Sequence, residues 1–553
     1  MPRYEIDRGT RAFSEYSSQQ ILSTIRTNVF SDLDHELATR VPRPAEKHCE
    51  IDPIRTAIYA HSCRKLIEGT ILNQISGYSA LRWLYYCRRI PNIAVLTYLG
   101  DIDLYKITLA EAITSNTETK RHDTNLLNFP VHETVIKRVL RFSQQIVYLV
   151  NLHVVLQLTG KGIWFEMGKS AIPIPKLSSD ASRALFLFDR RMSSFDQKPL
   201  ARLGTGGHGT ATQDDLRRVF ALVVRRKSST WIPSHDATVA DKPTISSNYG
   251  IHYFDFEKLS NLIADVRSKA RIWNDEAGVL LIILRIAAGM FREPSFSQTV
   301  LEVGYVPMDR ATLIDVCASR FDDAVKATQA TLPDASFPAN PSELIQQLEE
   351  MPQSLWPVRP GPVVRSQEGT VYLDLASATL RLNEAFSFPR VTGAQANVRA
   401  QHFEESVQAI ISNSVWREPF AESLRGRTIR RLGQEVTDID AAGAKDGRLL
   451  LVSCKSILYA EYETADYRVM RNASELVEKA VSHWARICCL LRENLKGDNY
   501  DFSSYQEILG VVCTPVVVYT PLGISTNQVA EGLYAAVSIT ELQIWLSGRS
   551  LAQ

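Results

Sequence analysis

The chain has 553 residues, too many for one ordinary domain and enough for two to four. Apolar residues make up 45% and charged residues 22%, which excludes general disorder because there is enough hydrophobic side chain to build cores. A near balance of 62 Lys and Arg against 61 Asp and Glu, net +1, excludes a uniformly basic nucleic-acid coat and an acidic solvating chain, leaving local patches.

The eight cysteines include no C-x-x-C pair and are too sparse for a disulfide scaffold, which predicts a reducing, cytoplasmic setting. The opening residues Met1 to Glu5 have no apolar h-region, so no signal peptide is expected. The most apolar runs, 145–158 and 278–291, contain Asn151, His153 and Arg285. Both fall short of the roughly 20 apolar residues that a bilayer demands, so they read as core helices with no membrane partner.

Taken in chain order, three- and four-residue apolar spacing predicts helices over 55–75, 79–90 and 134–158. Short β-favouring runs follow at 162–165, 171–175 and 184–188. Residues 191–213 form the clearest loop. Its glycine-rich stretch, 203–210, lacks the Gly-Lys-Ser/Thr ending of a phosphate-binding loop and has no strand before it, so it reads as surface. Helical spacing returns at 256–273, 277–290 and 310–328, and a proline-rich connector runs from Pro333 to Pro362. A hairpin is expected around Gln367-Glu-Gly369, then an extended stretch at 378–381. The expected division is a helix-rich region 1–190, a second mainly helical region 191–360, and an α/β region 361–553 with its core at about 398–520.

The chemistry-bearing residues lie in the last region. A helix over 402–411 has Phe403, Val407, Ile410 and Ile411 as its apolar face and Glu404 and Glu405 near its start. Two β-favouring runs, 434–442 and 448–456, flank Lys445-Asp-Gly447, a hairpin signal. Strand alternation puts Ser453 and Lys455 on one face and Cys454 on the other, and gives Asp438 and Asp440 a common face. A carboxylate brought beside a lysine suits phosphodiester hydrolysis. The carboxylate holds a divalent metal, the metal activates water and neutralises charge, and the ammonium stabilises the developing anion.

This stretch resembles the PD-(D/E)xK nuclease superfamily, the restriction-endonuclease-like fold. Its core reads helix with Glu, strand ending in Asp, hairpin, strand ending in Glu-x-Lys, helix, strand. The matching residues are Phe403-Glu404, Thr437-Asp-Ile-Asp440 and Leu450-Leu-Val-Ser-Cys-Lys455, then a helix over 465–492 and a strand over 508–514. The match covers about 110–130 residues and leaves 1–390 unassigned. The resemblance implies a mixed central sheet flanked by helices, with Mg²⁺ or Mn²⁺ as cofactor. It implies Asp440 as metal-binding aspartate, Lys455 as catalytic lysine, Glu404 as helix carboxylate and the Cys454 carbonyl as a further ligand. Ser453 stands where the family usually has Glu or Asp. A subset of restriction enzymes with Ser-x-Lys takes the missing carboxylate from the next helix, which here offers Glu475 and Glu478; Asp438 and Glu435 are further candidates.

The expected function is a metal-dependent endonuclease acting on DNA, resembling restriction and defence effectors of prokaryotes, with the N-terminal region selecting substrate or binding a protein partner. Ser453 keeps a second reading open, a catalytically degenerate nuclease fold that binds nucleic acid or assembles. Arg425, Arg427, Arg430 and Arg431 are candidates for phosphate contacts beside the site. Any such grip must be local, because residues 391–553 carry 16 Lys and Arg against 19 Asp and Glu. The Arg-aromatic run 82–89 reads as a core helix with snorkelling arginines. Lys47-His-Cys49 and His61-Ser-Cys63 lack the paired spacing of a zinc site.

Overall fold

The computed structural model describes residues 20–89, 110–114, 129, 133–179, 181–182, 218–225, 249–257, 259, 275–350, 361–367, 370–387, 394–457, 467–521 and 523–548. The loop expected at 191–213, the run at 184–188 and most of the helix expected at 256–273 lie outside them. The described protein is mixed α/β, with several small sheets.

The first core is helical. It comprises α1 (Gln20–Arg40), α2 (Pro53–Ile75), α3 (Ala80–Arg89) and α4 (Glu133–Thr159), with a small sheet of β1 (Glu50–Ile51), β2 (Phe165–Glu166) and β3 (Ile174–Pro175). Asp52 caps α2 by accepting from the backbone of Ile54 and Arg55, and Pro53 opens the helix where its missing N–H costs nothing. Trp83, Tyr85 and Tyr86 of α3 are buried, as the core-helix reading expects. The segment Lys137–Thr159 is long and apolar enough to cross a membrane by length and composition, yet 83% of its most apolar window is buried inside the protein.

The second core gathers the antiparallel pair β4 (Val219–Arg225) and β5 (Tyr249–Asp255) with α5 (Asp275–Met290) and α6 (Pro294–Val303). To these it adds β6 (Tyr305–Asp309), α7 (Arg310–Ala318), α8 (Phe321–Thr331) and α9 (Pro341–Glu349). Apart from Arg285, α5 is buried from Ala277 to Met290, as a helix apolar on all sides must be. The single helix expected over 310–328 is two, α7 and α8, broken at Ser319 and Arg320. The predicted hairpin is present as β7 (Val364–Gln367) and β8 (Thr370–Asp374), and β8 pairs with β6 on its other side. The extended stretch expected at 378–381 is instead part of α10 (Leu375–Ser387). The Asp374 carboxylate accepts from the Ser377 backbone N–H and so caps this helix. Residues 363–382 therefore pack with the second core, although the proline-rich connector had placed them in the third region.

The third core is a four-stranded sheet in the order β11 (Ala441–Lys445), β12 (Arg448–Cys454), β13 (Glu507–Thr514), β16 (Ala536–Ser538). β11 and β12 are antiparallel and the other pairs parallel. The turn between β11 and β12 has Asp446 at φ 51° and Gly447 at φ 73°, the left-handed pair that a two-residue hairpin demands. The helix α11 (Ala394–Ser412) packs on one face, through Phe403, Val407 and Ile411 against Leu450 and Val452. The long helix α13 (Tyr467–Glu493) covers the other face and supplies the crossover between parallel β12 and β13. β12 is buried on both faces, which its near-continuous apolar run requires.

Two close approaches set the helix positions. A Cβ at Gly510 would lie 2.2 Å from Cys488 Sγ of α13. A Cβ at Gly443 would lie 2.4 Å from Ile411 Cγ2 and 2.7 Å from the Trp416 carbonyl oxygen. Gly443→Ala is therefore expected to destabilise the third core by about 1–3 kcal/mol, an overpacking cost. A urea titration checks this, and an unchanged midpoint would refute it.

Candidate active site

One bond pattern places the first carboxylate of the site. The Gln408 side chain on α11 accepts from the Ala442 backbone N–H at 2.9 Å and donates to its carbonyl at 3.0 Å. This satisfies part of the edge strand β11 and fixes the helix against it. Glu404 lies one helical turn before Gln408 and Asp440 two residues before Ala442. The pairing therefore carries Glu404 to the same end of β11 as Asp440.

Asp440 precedes β11, and the Ala441–Val452 register sets it opposite Ser453. Its Oδ2 accepts from the Cys454 backbone N–H at 2.6 Å and lies 3.4 Å from Ser453 Oγ. Lys455 follows at the end of β12, where its backbone N–H donates to the Cys513 carbonyl. Burial raises the Asp440 carboxyl above the ordinary value, against the Cys454 N–H and the Lys455 ammonium, which favour its charge. Burial and the nearby negative charge of Asp440 push Glu404 up to about 7, against Arg425 and Lys455. Burial keeps the Cys454 thiol protonated. Glu404, Asp440, Ser453 and Lys455 thus meet at one end of the sheet.

Several of the remaining candidates are already engaged. Asp438 does not share a strand with Asp440. It ends β10 (Gln434–Asp438), which pairs with β9 (Thr428–Arg431), and accepts from the Thr428 hydroxyl across that exposed hairpin. Glu435 is exposed and pairs with Arg430 at 3.4 Å. Arg425 pairs with Glu405 at 3.3 Å and acts on the neighbouring Glu404. Arg427 is exposed and Arg431 half-buried. Glu475 is half-buried on α13. Glu478 is buried on α13 and held by Lys161, which follows α4, at 2.5 Å.

The Lys161–Glu478 pair closes a seam between the first and third cores. His153, Gln157 and Lys161 recur at four-residue spacing along and just past α4. The ring of Tyr467, which opens α13, stands edge-on to His61 and His153. His153 is fully buried and neither ring nitrogen has a hydrogen-bond partner among the described residues; burial pushes its pKa down to about 3. Gln157 Oε1, Ser474 Oγ and Glu478 Oε1 are likewise buried without a partner among those residues.

Among the described residues no group of three or more His, Cys, Asp or Glu side chains is arranged to hold a metal. The donors present are two carboxylates, Asp440 and Glu404, and the Ser453 hydroxyl. They fit a magnesium-like ion, which binds through one or two carboxylates and keeps several waters, rather than an all-protein cage. Glu404 is pushed up first by burial and then by repulsion from Asp440, and a bound cation would offset both.

A raised carboxyl favours the folded state in its neutral form. The stability it contributes is therefore full below the ordinary value of 4.5 and is lost as the pH rises through about 7. In metal-free protein, Glu404→Gln is expected to raise the thermal midpoint, relative to the parent chain, more at pH 8 than at pH 5. Calorimetry at the two pH values checks this, and an equal difference at both would count against it.

No protein-family model matches the chain, and no curated protein or solved structure does.

Proposed function

We propose that the third region is a metal-dependent endonuclease domain acting on DNA, of the restriction-endonuclease-like kind its motif resembles. The observation that carries this reading is the meeting of Asp440, Glu404, Ser453 and Lys455 at one end of a four-stranded sheet. Asp440 is there anchored by the Cys454 N–H at 2.6 Å. The order helix, β11, β12, helix, β13 supports it, because this is the order in which the superfamily's core presents its carboxylates and lysine.

Asp440 and Glu404 would hold Mg²⁺ or Mn²⁺, which supplies a water of lowered pKa and neutralises phosphate charge. The Ser453 hydroxyl faces Asp440 and orients its carboxylate. The Lys455 ammonium, whose field acts on both carboxylates, offsets the negative charge that develops on the phosphate. Arg427, whose carbonyl accepts from Ile439 beside Asp440, supplies a cation for a backbone contact near the site, whereas Arg431 lies by Tyr500 at the hairpin turn. The first and second regions select the substrate or bind a protein partner, as in a restriction or defence effector.

A second reading is favoured by one observation: Glu478, one of the two α13 carboxylates expected to compensate for Ser453, is tied to Lys161. On that reading the domain binds nucleic acid without cutting it. Incubation of the full chain with plasmid, linear duplex, single-stranded DNA and RNA, in Mg²⁺, Mn²⁺ or EDTA, separates the two. Metal-dependent cleavage of DNA supports the nuclease. Binding without cleavage under every metal supports the second reading.

A further inference from the structure

A cleft far in sequence from the C-terminal site opens where α1, α2 and α4 meet. It encloses about 330 Å³. Its wall carries three cations, Lys137, Arg138 and Arg141, against a single carboxylate, Asp32, together with the amides of Asn73 and Gln74. Arg141 is already committed to Glu36.

Arg138 is different. Its guanidinium makes no hydrogen bond or ion pair with any described residue, yet its position is fixed. It lies 4.3 Å from the centroid of the Tyr78 ring. Gly77 leaves room for it, since a Cβ there would come within 2.8 Å of Arg138 Nη1. Gln74 Nε2 donates to the Arg138 carbonyl at 2.6 Å, which ties the end of α2 to α4 at this point. Arg82 also lies 4.3 Å from the Tyr78 centroid, so one ring carries two guanidiniums. A planar, prepositioned fork of donors without a carboxylate partner suits a phosphate oxygen pair. The volume is at the low end of the roughly 300–1,000 Å³ of small-molecule sites, enough for phosphate groups with the rest of a ligand reaching solvent.

We propose that this cleft binds a small molecule carrying two or more phosphate groups, with Arg138 as the principal anion ligand and Lys137, Asn73 and Gln74 around it. The site is independent of the C-terminal carboxylates. The test is calorimetric titration of the full-length protein with inorganic pyrophosphate at low ionic strength, with ATP and a single-stranded oligonucleotide in parallel arms.

Saturation by pyrophosphate near one equivalent is expected. Arg138→Gln should weaken it about tenfold or more, the loss of one charge-assisted contact. Gly77→Ala keeps every cation but displaces the guanidinium, and should weaken binding in the same direction. Arg55→Gln, an exposed cation at the other end of α2, should leave it unchanged. Tighter binding of ATP than of pyrophosphate would identify a nucleotide as the ligand and support the proposal. Absence of saturable pyrophosphate binding, equal affinity in Arg138→Gln, or binding of the oligonucleotide alone would each overturn it.

Discussion

Replacing Asp374 with alanine is expected to cost about 3–5 kcal/mol of stability, the penalty for leaving a buried charge without its partner. The charge left behind is Arg88, whose side chain is 1% exposed. Its two terminal nitrogens each donate to one Asp374 oxygen at 2.9 Å, and Nη1 also donates to the Val303 carbonyl at 3.0 Å. Glu111 stands 3.3 Å from Nε, so this contact and the Val303 bond survive the change, but the bidentate carboxylate is lost. Asp374 does a second job by capping α10 through Ser377, which adds to the loss. The pair joins the end of α3 to the end of β8, so it links the first two cores. Urea denaturation followed by tryptophan fluorescence measures the effect. A paired replacement, Arg88→Met with Asp374→Leu, is expected to recover most of it, because apolar groups of similar volume need no partner. A loss below about 1 kcal/mol for the single change would sink this account.

On the proposed nuclease reading, Asp440→Asn is expected to lower metal-dependent cleavage by about 10²–10³-fold, the scale of losing one preorganised charge contact to the reacting group. Asparagine keeps an oxygen to accept the Cys454 N–H, so the fold is retained and the loss reads out chemistry. Lys455→Met should give a comparable loss in rate with metal affinity less affected, because the ammonium faces the carboxylates without being a ligand. Cleavage rates at saturating Mg²⁺, with metal affinity followed separately, distinguish the two roles. Full activity in Asp440→Asn would place the chemistry elsewhere.

Much of this site was legible because local rules determine it. The Asp446–Gly447 turn fixes the hairpin, the hairpin fixes the register, and the register sets Asp440 against Ser453. Gln408 was missed. A polar residue one turn after Glu404 on the same helix face was the available signal, but its bond to an edge strand depends on packing. Asp438 was misassigned because the chain changes sheets between Asp438 and Ala441, a break that alternation alone does not show. The stretch 378–381 looked extended, yet the Asp374 cap and packing on β4 and α5 make it helix. Arg88–Asp374 and Lys161–Glu478 join residues some 300 positions apart, where no local pattern reaches.

The Lys161–Glu478 seam also has a consequence for the order in which the chain is made. Synthesis runs from the N-terminus at about 5–20 residues per second, so Lys161 leaves the ribosome tens of seconds before Glu478. The helical core then presents an ammonium ready for the carboxylate when α13 is completed. A shortened chain beginning near residue 390 has no such acceptor surface. It leaves the α13 face that packs against Val154 and Lys161 open to water, and its failure to fold would report a missing scaffold rather than a fault in the sheet.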